Sequence, residues 1–274
     1  MAQLCTDQGE PDPQLGRHAQ ARGQAQVPRV SAQGRLTERR AAPSEVLVVL
    51  PTFNEKENLA RVVAGVRHLG HDVLVVDDAS PDGTGEIADG LAATDDGVRV
   101  LHRERKLGIG SAYEDAFRIG LAEGSALFVE MDADGSHRPQ DLDSIVDAAR
   151  GCGGLAIGSR YMRGGQILGW PAHRLLLSRG ANVYCRTLLG LRVRDCTSGF
   201  RCYTRDLLSS ITLEEVVSQG YSFQIEMVYR TVRLGFPVVE VPIHFEDRIA
   251  GASKVSQGEI RRALLMVLRL SMSR

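Results

Sequence analysis

Apolar residues come in two alternating patterns along most of this chain. Short, mainly apolar runs, Val46 to Leu50, Val73 to Val76, Val98 to Leu101, Ala126 to Met131 and Leu155 to Gly158, are separated by stretches with helical spacing. Leu59, Val62, Val63, Val66 and Leu69 make the first such stretch, and others pass through Ile87 and Leu91, from Ile109 to about Ala122, and over about 139–150. A continuous apolar run suits a parallel strand covered on both faces, whereas a 3.6-residue period suits an amphipathic helix. Strict alternation of the two from 46 to 158 predicts an α/β domain: a Rossmann-like, doubly wound, mostly parallel sheet with helices on both faces and right-handed crossovers. Asn54 is the expected cap of the first helix, with Glu57 as its capping-box partner.

Past residue 160 the alternation breaks down. Arg160, Arg163, His173, Arg174 and Arg179 surround Gly164-Gly165 and the apolar Leu175-Leu176-Leu177. Basic residues threaded with leucines suit either an anionic head group on an apolar tail or a solvated helix face. Residues 198–204 and 238–246 read as further strands, with a helix over about 222–234 between them. Residues 1–43 are rich in Gln, Arg, Gly, Ala and Pro and lack periodicity, which predicts a disordered tail ahead of a single domain over 44–274. The last stretch, Glu259 to Arg274, sets Ile260, Ala263, Leu264, Val267 and Leu268 on one helical side, and Arg261, Arg262 and Arg269 on another. This is a basic amphipathic helix, suited to a membrane interface or to packing on the sheet.

Candidate chemistry collects where the predicted strands end, the place where open α/β sheets bind ligands. Glu55 follows the first run, Asp77-Asp78 the second, Asp132-Ala133-Asp134 the fourth and Arg160 the fifth. Two carboxylates spaced i, i+2 at a strand end point the same way and suit a hard divalent cation that also holds phosphates. An EF-hand loop is excluded, because His137 stands where its glycine belongs and Asp143 where its glutamate belongs. Gly108-Ile109-Gly110 lacks the third glycine of a dinucleotide fingerprint and follows the wrong strand, so these glycines read as tight helix packing. A formal net charge of -1 over 274 residues, with 5% aromatics, argues against a nucleic-acid partner. Five cysteines without C-x-x-C spacing read as reduced, mostly buried thiols. No apolar leader and no run near ~20 apolar residues points to secretion or a membrane span.

Six stretches in order resemble the inverting family 2 glycosyltransferases of GT-A fold, and among them the polyprenyl- and dolichyl-phosphate mannose synthases. They are Leu50-Pro51-Thr52-Phe53-Asn54-Glu55, Val76 to Thr84, Met131 to His137, Gly158-Ser159-Arg160-Tyr161, Thr197-Ser198-Gly199-Phe200-Arg201, and Asp247-Arg248 with Ser253-Lys254. The resemblance implies GDP-mannose as donor, a polyprenyl phosphate as acceptor, Mg²⁺ or Mn²⁺ as cofactor, and inversion to the β-mannosyl phosphate. It implies that Pro51, Phe53, Glu55, Val76 and Asp78 hold the nucleoside, and that Asp132, the Ala133 backbone and Asp134 hold cation and diphosphate. Arg160 would face the phosphates, Arg248 and Lys254 would close a mobile loop on them, and Arg174 and Ser178 would receive the lipid phosphate. Asp132, Asp134 and Arg248 are the catalytic residues on this reading. Ser136 stands where some relatives carry Gln near the metal, so no third protein ligand is assigned. Thr197-Ser198-Gly199-Phe200 offers no carboxylate where relatives acting on sugar hydroxyls place their base, and Asp195 reads as structural or acceptor-side. The same fold also accommodates a UDP-glucose-dependent polyprenyl-phosphate glucosyltransferase or a catalytically silent nucleotide-binding scaffold. The expected setting is cytoplasmic, peripheral on a membrane, with an integral-membrane partner supplying firmer anchoring.

Overall fold

The computed structural model describes residues 34–38, 42–218, 220–247 and 257–272. In chain order the elements are β1 (Gly34–Leu36), β2 (Val46–Thr52), α1 (Leu59–His68), β3 (Asp72–Asp77), α2 (Thr84–Thr94), β4 (Val98–Arg103), α3 (Ile109–Glu123), β5 (Leu127–Glu130) and α4 (Leu142–Cys152). There follow β6 (Leu155–Ser159), β7 (Gln166–Leu168), α5 (Ala172–Leu189), β8 (Arg201–Thr204), α6 (Arg205–Ser210), α7 (Tyr221–Arg233), β9 (Val238–Pro242), β10 (His244–Glu246) and α8 (Gln257–Met272). Eight strands form one sheet in the order β1-β4-β3-β2-β5-β8-β6-β9, and β7 pairs with β10 in a separate parallel ribbon.

Side-chain alternation along the strands divides the core between two faces. Leu47, Val49, Leu74, Val76 and Phe128 lie with Tyr113 and Phe117 of α3 and Phe223 and Met227 of α7. Val46, Val48, Leu50, Val73, Val75 and Val129 lie with Leu59, Val62 and Val66 of α1 and Ile145 of α4. The parallel pairs β2–β3, β3–β4 and β2–β5 carry the expected doubly wound half. The other half differs: β8 is inserted antiparallel between β5 and β6. A strand arriving late in the chain thereby reaches the sheet centre beside β5, the strand that leads into Asp132.

Two expectations are corrected. The predicted tail boundary at 43 is too late, because Gly34–Leu36 pair antiparallel with β4 as an edge strand. Gly34 fits there because a side chain would collide with the His102 carbonyl oxygen. Asn54 does not cap α1, which begins at Leu59 with Asn58 preceding it and no side-chain capping bond. Asn54 instead takes a left-handed conformation, φ 60°, and turns the chain out of β2. Among the described residues the cysteines are free thiols; burial pushes Cys185 up to about 11 and Cys196 up to about 12, so both stay protonated.

Candidate functional site

Neighbouring strands β3, β2 and β5 end side by side, and their following loops make one cleft. Backbone bonds clasp the first two loops: Asn54 N–H donates to Ser80 Oγ (3.1 Å), Glu55 N–H to Thr84 Oγ1 (3.0 Å) and Lys56 N–H to Asp82 Oδ2 (3.3 Å). Pro51, Phe53 and Glu55 are half-buried along this cleft, with Asn58 Nδ2 donating to Glu55 Oε2 at 3.2 Å. Lys106 Nζ lies 3.7 Å from the centre of the Phe53 ring, so one aromatic face is held by a cation on a flexible stem. Asp78 pairs with Arg103 at 2.8 Å and accepts from Gly108 N–H at 3.0 Å. Burial raises its pKa and Arg103 opposes the rise. Val76 has no exposed surface and sits in the core, so its side chain does not line the cleft.

At the end of β5, Asp132 is half-buried, while Ala133 and Asp134 are buried. Asp134 Oδ1 accepts from Ser136 N–H at 3.0 Å, an Asx turn that folds the loop back. Asp132 N–H donates to His137 Nδ1 at 3.1 Å. Burial pushes the His137 pKa down to about 4, so the ring is neutral with its proton on Nε2. His137 stacks on Phe200 (5.0 Å) and meets Phe245 edge-on (5.4 Å). From the inserted strand's side Gly199 closes on Asp132: a Cβ there would lie 3.5 Å from its Oδ1. The donor set fits a hard divalent cation, namely two carboxylates from one strand end with the buried, unpartnered Ser136 Oγ beside them. Among the described residues no third His, Cys, Asp or Glu joins them.

Across Phe245 lies a cationic group. Arg160 donates through Nε to Asp195 Oδ2 (2.7 Å) and through Nη2 to Asp195 Oδ1 (2.8 Å) and Thr197 Oγ1 (2.8 Å). Burial alone would raise the Asp195 carboxyl, yet the charge and hydrogen bonds of Arg160 hold it below the usual carboxylate range. Glu240 accepts from the Asp195 backbone N–H at 3.0 Å, and Asn182 Nδ2 donates to Thr197 Oγ1 at 3.2 Å. Arg174 lies 4.0 Å from the Trp170 ring centre and donates to Asp247 at 3.0 Å. The Arg160 guanidinium is 5.4 Å from the same ring centre. One turn along α5, Ser178 Oγ accepts from Tyr161 O–H at 2.7 Å.

The fold thus gathers Pro51, Phe53, Glu55 and Asp78 on one side of the Asp132/Asp134 strand end, and Arg160, Arg174 and Ser178 on the other. Arg248 and Lys254 lie outside the described residues. Sequence reading did not single out Trp170, Asn182 or Phe245. Trp170 is the chain's one tryptophan and sits among the arginines, a signal that was available. The pairing of Arg160 with Asp195, 35 residues apart, left no trace in local pattern.

The sequence model of glycosyl transferase family 2 matches residues 47–212. The chain is 50% identical over 224 residues to a polyprenol monophosphomannose synthase of Mycolicibacterium smegmatis, covering 81% of this chain and 84% of that protein. It is 47% identical over 226 residues to an undecaprenyl-phosphate mannosyltransferase of Micrococcus luteus, covering 82% and 93%. Among solved structures it is similar to glucosyl-3-phosphoglycerate synthase from Mycobacterium tuberculosis in complex with Mn²⁺, UDP and glucosyl-3-phosphoglycerate. That match has a TM-score of 0.60 at 21% identity and covers 83% of this chain and 78% of that one, a likeness of fold. The family model and the two relatives agree with the carboxylate pair at the strand end and the sheet around it: the chain belongs to glycosyl transferase family 2.

Proposed function

We propose that this protein transfers mannose from GDP-mannose to a polyprenyl phosphate with inversion, giving polyprenyl β-D-mannosyl phosphate and GDP. The observation that carries the reading is the pairing of an acidic strand end, Asp132 and Asp134, with a cationic group, Arg160, Arg174 and Ser178, across Phe245 and Trp170. The names of the two relatives supply the sugar and the lipid class.

Phe53 offers a ring face to the base, and the clasped loops after β2 and β3 hold the nucleoside. Asp132 and Asp134 would hold Mg²⁺ or Mn²⁺ together with the donor diphosphate. When bound, the divalent ion neutralises charge developing on the departing diphosphate. Arg160 and Arg174 receive the acceptor phosphate, each held by its carboxylate, Asp195 or Asp247, beside the Trp170 ring. A phosphate monoester has a second pKa near ~6, so at neutral pH the acceptor is largely a dianion and needs no general base. The absence of a side chain at Gly199, directly against Asp132, supports this: the position facing the reaction carries no proton acceptor. His137, neutral and bonded to the Asp132 backbone, fixes the strand end and takes no part in proton transfer.

Membrane association belongs to the same reading. Among the described residues no helix is long and apolar enough to cross a membrane. In α8, Val267 is buried and Leu270 packs on the core, so the helix docks on the protein. Leu264, Leu265, Leu268 and Met272 stay exposed on its other side and suit an interfacial position. Val267 and Leu270 thus meet the core-packing reading of this helix, and the interfacial reading is proposed for its exposed side. The protein then works peripherally at a membrane, with an integral-membrane partner adding firmer attachment.

The test is incubation with radiolabelled GDP-mannose or UDP-glucose, polyprenyl phosphate and Mg²⁺. Mannose label is expected in the organic phase. Glucose label there, or none from either donor, overturns the proposal.

A further inference from the structure

Residues 161–194 contain six arginines and no Asp or Glu, in a chain whose formal net charge is -1. Five of these arginines do not belong to the acceptor group described above, and three of the five come together. Arg179, Arg186 and Arg194 line an open cleft of ≈ 300 Å³ together with Tyr161, Asn182 and Val183. No carboxylate lines the cleft, and none of the three arginines makes an ion pair among the described residues. Unneutralised like charges around one hollow repel each other, and a bound anion relieves that repulsion.

The walls of the cleft are fixed. Asn182 is buried and donates to the Ser178 carbonyl (3.0 Å) and to Thr197 Oγ1 (3.2 Å), while Tyr161 O–H is held by Ser178. Glu240 accepts from the Arg194 backbone N–H at 2.9 Å and pins the opposite rim. Leu176, Arg179, Val183 and Arg186 fall within one arc of α5, at spacings of three, four and three residues. Leu176 and Val183 are 74% and 60% exposed, so apolar and cationic side chains alternate along a single solvent-facing stripe. Tyr184 O–H donates to the Leu264 carbonyl at 3.2 Å, which sets α8 and its exposed leucines alongside.

We infer that this cleft binds the phosphate of an anionic phospholipid head group, with the lipid's chains against Leu176, Val183 and the apolar side of α8. Arginine suits the ligand, since its planar fork pairs two N–H donors with two phosphate oxygens. The site is separate from Arg160 and Arg174. Tyr161 and Asn182 stand between the two, so an occupied cleft orients the protein with its acceptor group toward the same surface. The inference concerns any bilayer lipid carrying a phosphodiester and a net negative charge; it does not depend on the identity of the sugar donor.

The experiment uses the full chain and sedimentation with vesicles of phosphatidylcholine alone or with phosphatidylglycerol, at fixed ionic strength. The parent protein is expected to prefer the anionic vesicles. Arg179→Gln, Arg186→Gln and Arg194→Gln are each expected to lower that partition about five-fold, and the triple variant about a hundred-fold. Turnover on a short-chain, water-soluble acceptor should be unchanged in all of them, which separates failure of this site from failure of the proposed reaction. If the triple variant melts early, the graded loss in the single variants carries the test. Unchanged partition in the variants overturns the inference. So does parent binding that millimolar inorganic phosphate abolishes, because the cleft would then be a free-phosphate site.

Discussion

Replacing Asp195 by Asn removes the charge that holds Arg160 while keeping nearly the same shape. The carboxylate has no exposed surface and the Arg160 side chain is 7% exposed. Asn retains one oxygen for one of the two guanidinium contacts, but its amide N–H₂ then faces a second donor. Breaking a buried pair from one side typically costs about 3–5 kcal/mol, because the remaining charge is left desolvated. For a domain of this size each kcal/mol lowers Tm by about 2–4 °C, so the variant should melt roughly 6–20 °C below the parent. The acceptor KM should rise while donor binding is retained, since Pro51, Phe53 and Glu55 lie on the far side of Asp132. Removing both charges in Arg160→Gln/Asp195→Asn leaves no orphaned ion, so the double variant should melt above Asp195→Asn alone. Differential scanning fluorimetry and steady-state kinetics on the four proteins read out this cycle. A single variant melting within ~1 °C of the parent, or a double variant showing the sum of the two single losses, refutes the reasoning.

Other expectations rest on separate features. Asp132→Asn and Asp134→Asn should each lower turnover by at least ~10²-fold with Tm little changed, and excess chelator should do the same to the parent protein. Full parent activity in chelator, with no metal carried through, would rule out the metal role. Glu130, buried on β5, has its pKa pushed from 4.5 up to about 7 by burial. The folded state therefore holds this proton more tightly than the unfolded chain does. The parent should lose about 3 kcal/mol of stability as pH rises from 4.5 to about 7, with no further loss above, and Glu130→Gln should remove that slope. Denaturant titrations across this window check it, and an unchanged slope in the variant contradicts the assignment. Gly120→Ala would set a methyl 2.6 Å from Leu47 and Phe128, so α3 should lift from the sheet at a cost of about 1–3 kcal/mol, read by chemical denaturation. Leu265→Glu on exposed α8 should lower vesicle binding without lowering Tm.

How far the sequence alone reaches follows from which interactions are local. The β2, β3, β4 and β5 runs and their crossover helices were readable because each strand is a short, mainly apolar run and each helix has its own period. Asp132 and Asp134 were readable because both carboxylates belong to one strand end. The second half resisted for a physical reason. Its strand order depends on Arg201–Thr204 entering the sheet antiparallel between β5 and β6, and no residue near 201 encodes that choice of neighbours. Arg201 is itself wholly buried, donating to the carbonyls of Ser198, Cys196 and Gln224; a charge in that position reads from sequence as a surface residue. The same non-locality hid the partner of Arg160. Gly34–Leu36 escaped notice because three residues pairing at an edge carry too little pattern to rise above a Gln- and Arg-rich tail.

The account turns on the acceptor phosphate itself attacking the sugar, with Arg160 and Arg174 presenting it and no side chain removing a proton. Polyprenyl phosphate carrying oxygen-18 in its non-bridging positions tests this directly. After one turnover with unlabelled GDP-mannose, nuclear magnetic resonance of the isolated lipid product reports the oxygen joining C1 to phosphorus and the configuration at C1. The account predicts oxygen-18 in that bridge and a β-linked mannose. An unlabelled bridge, meaning that the donor's own oxygen travelled with the sugar, or an α-linked product would contradict it.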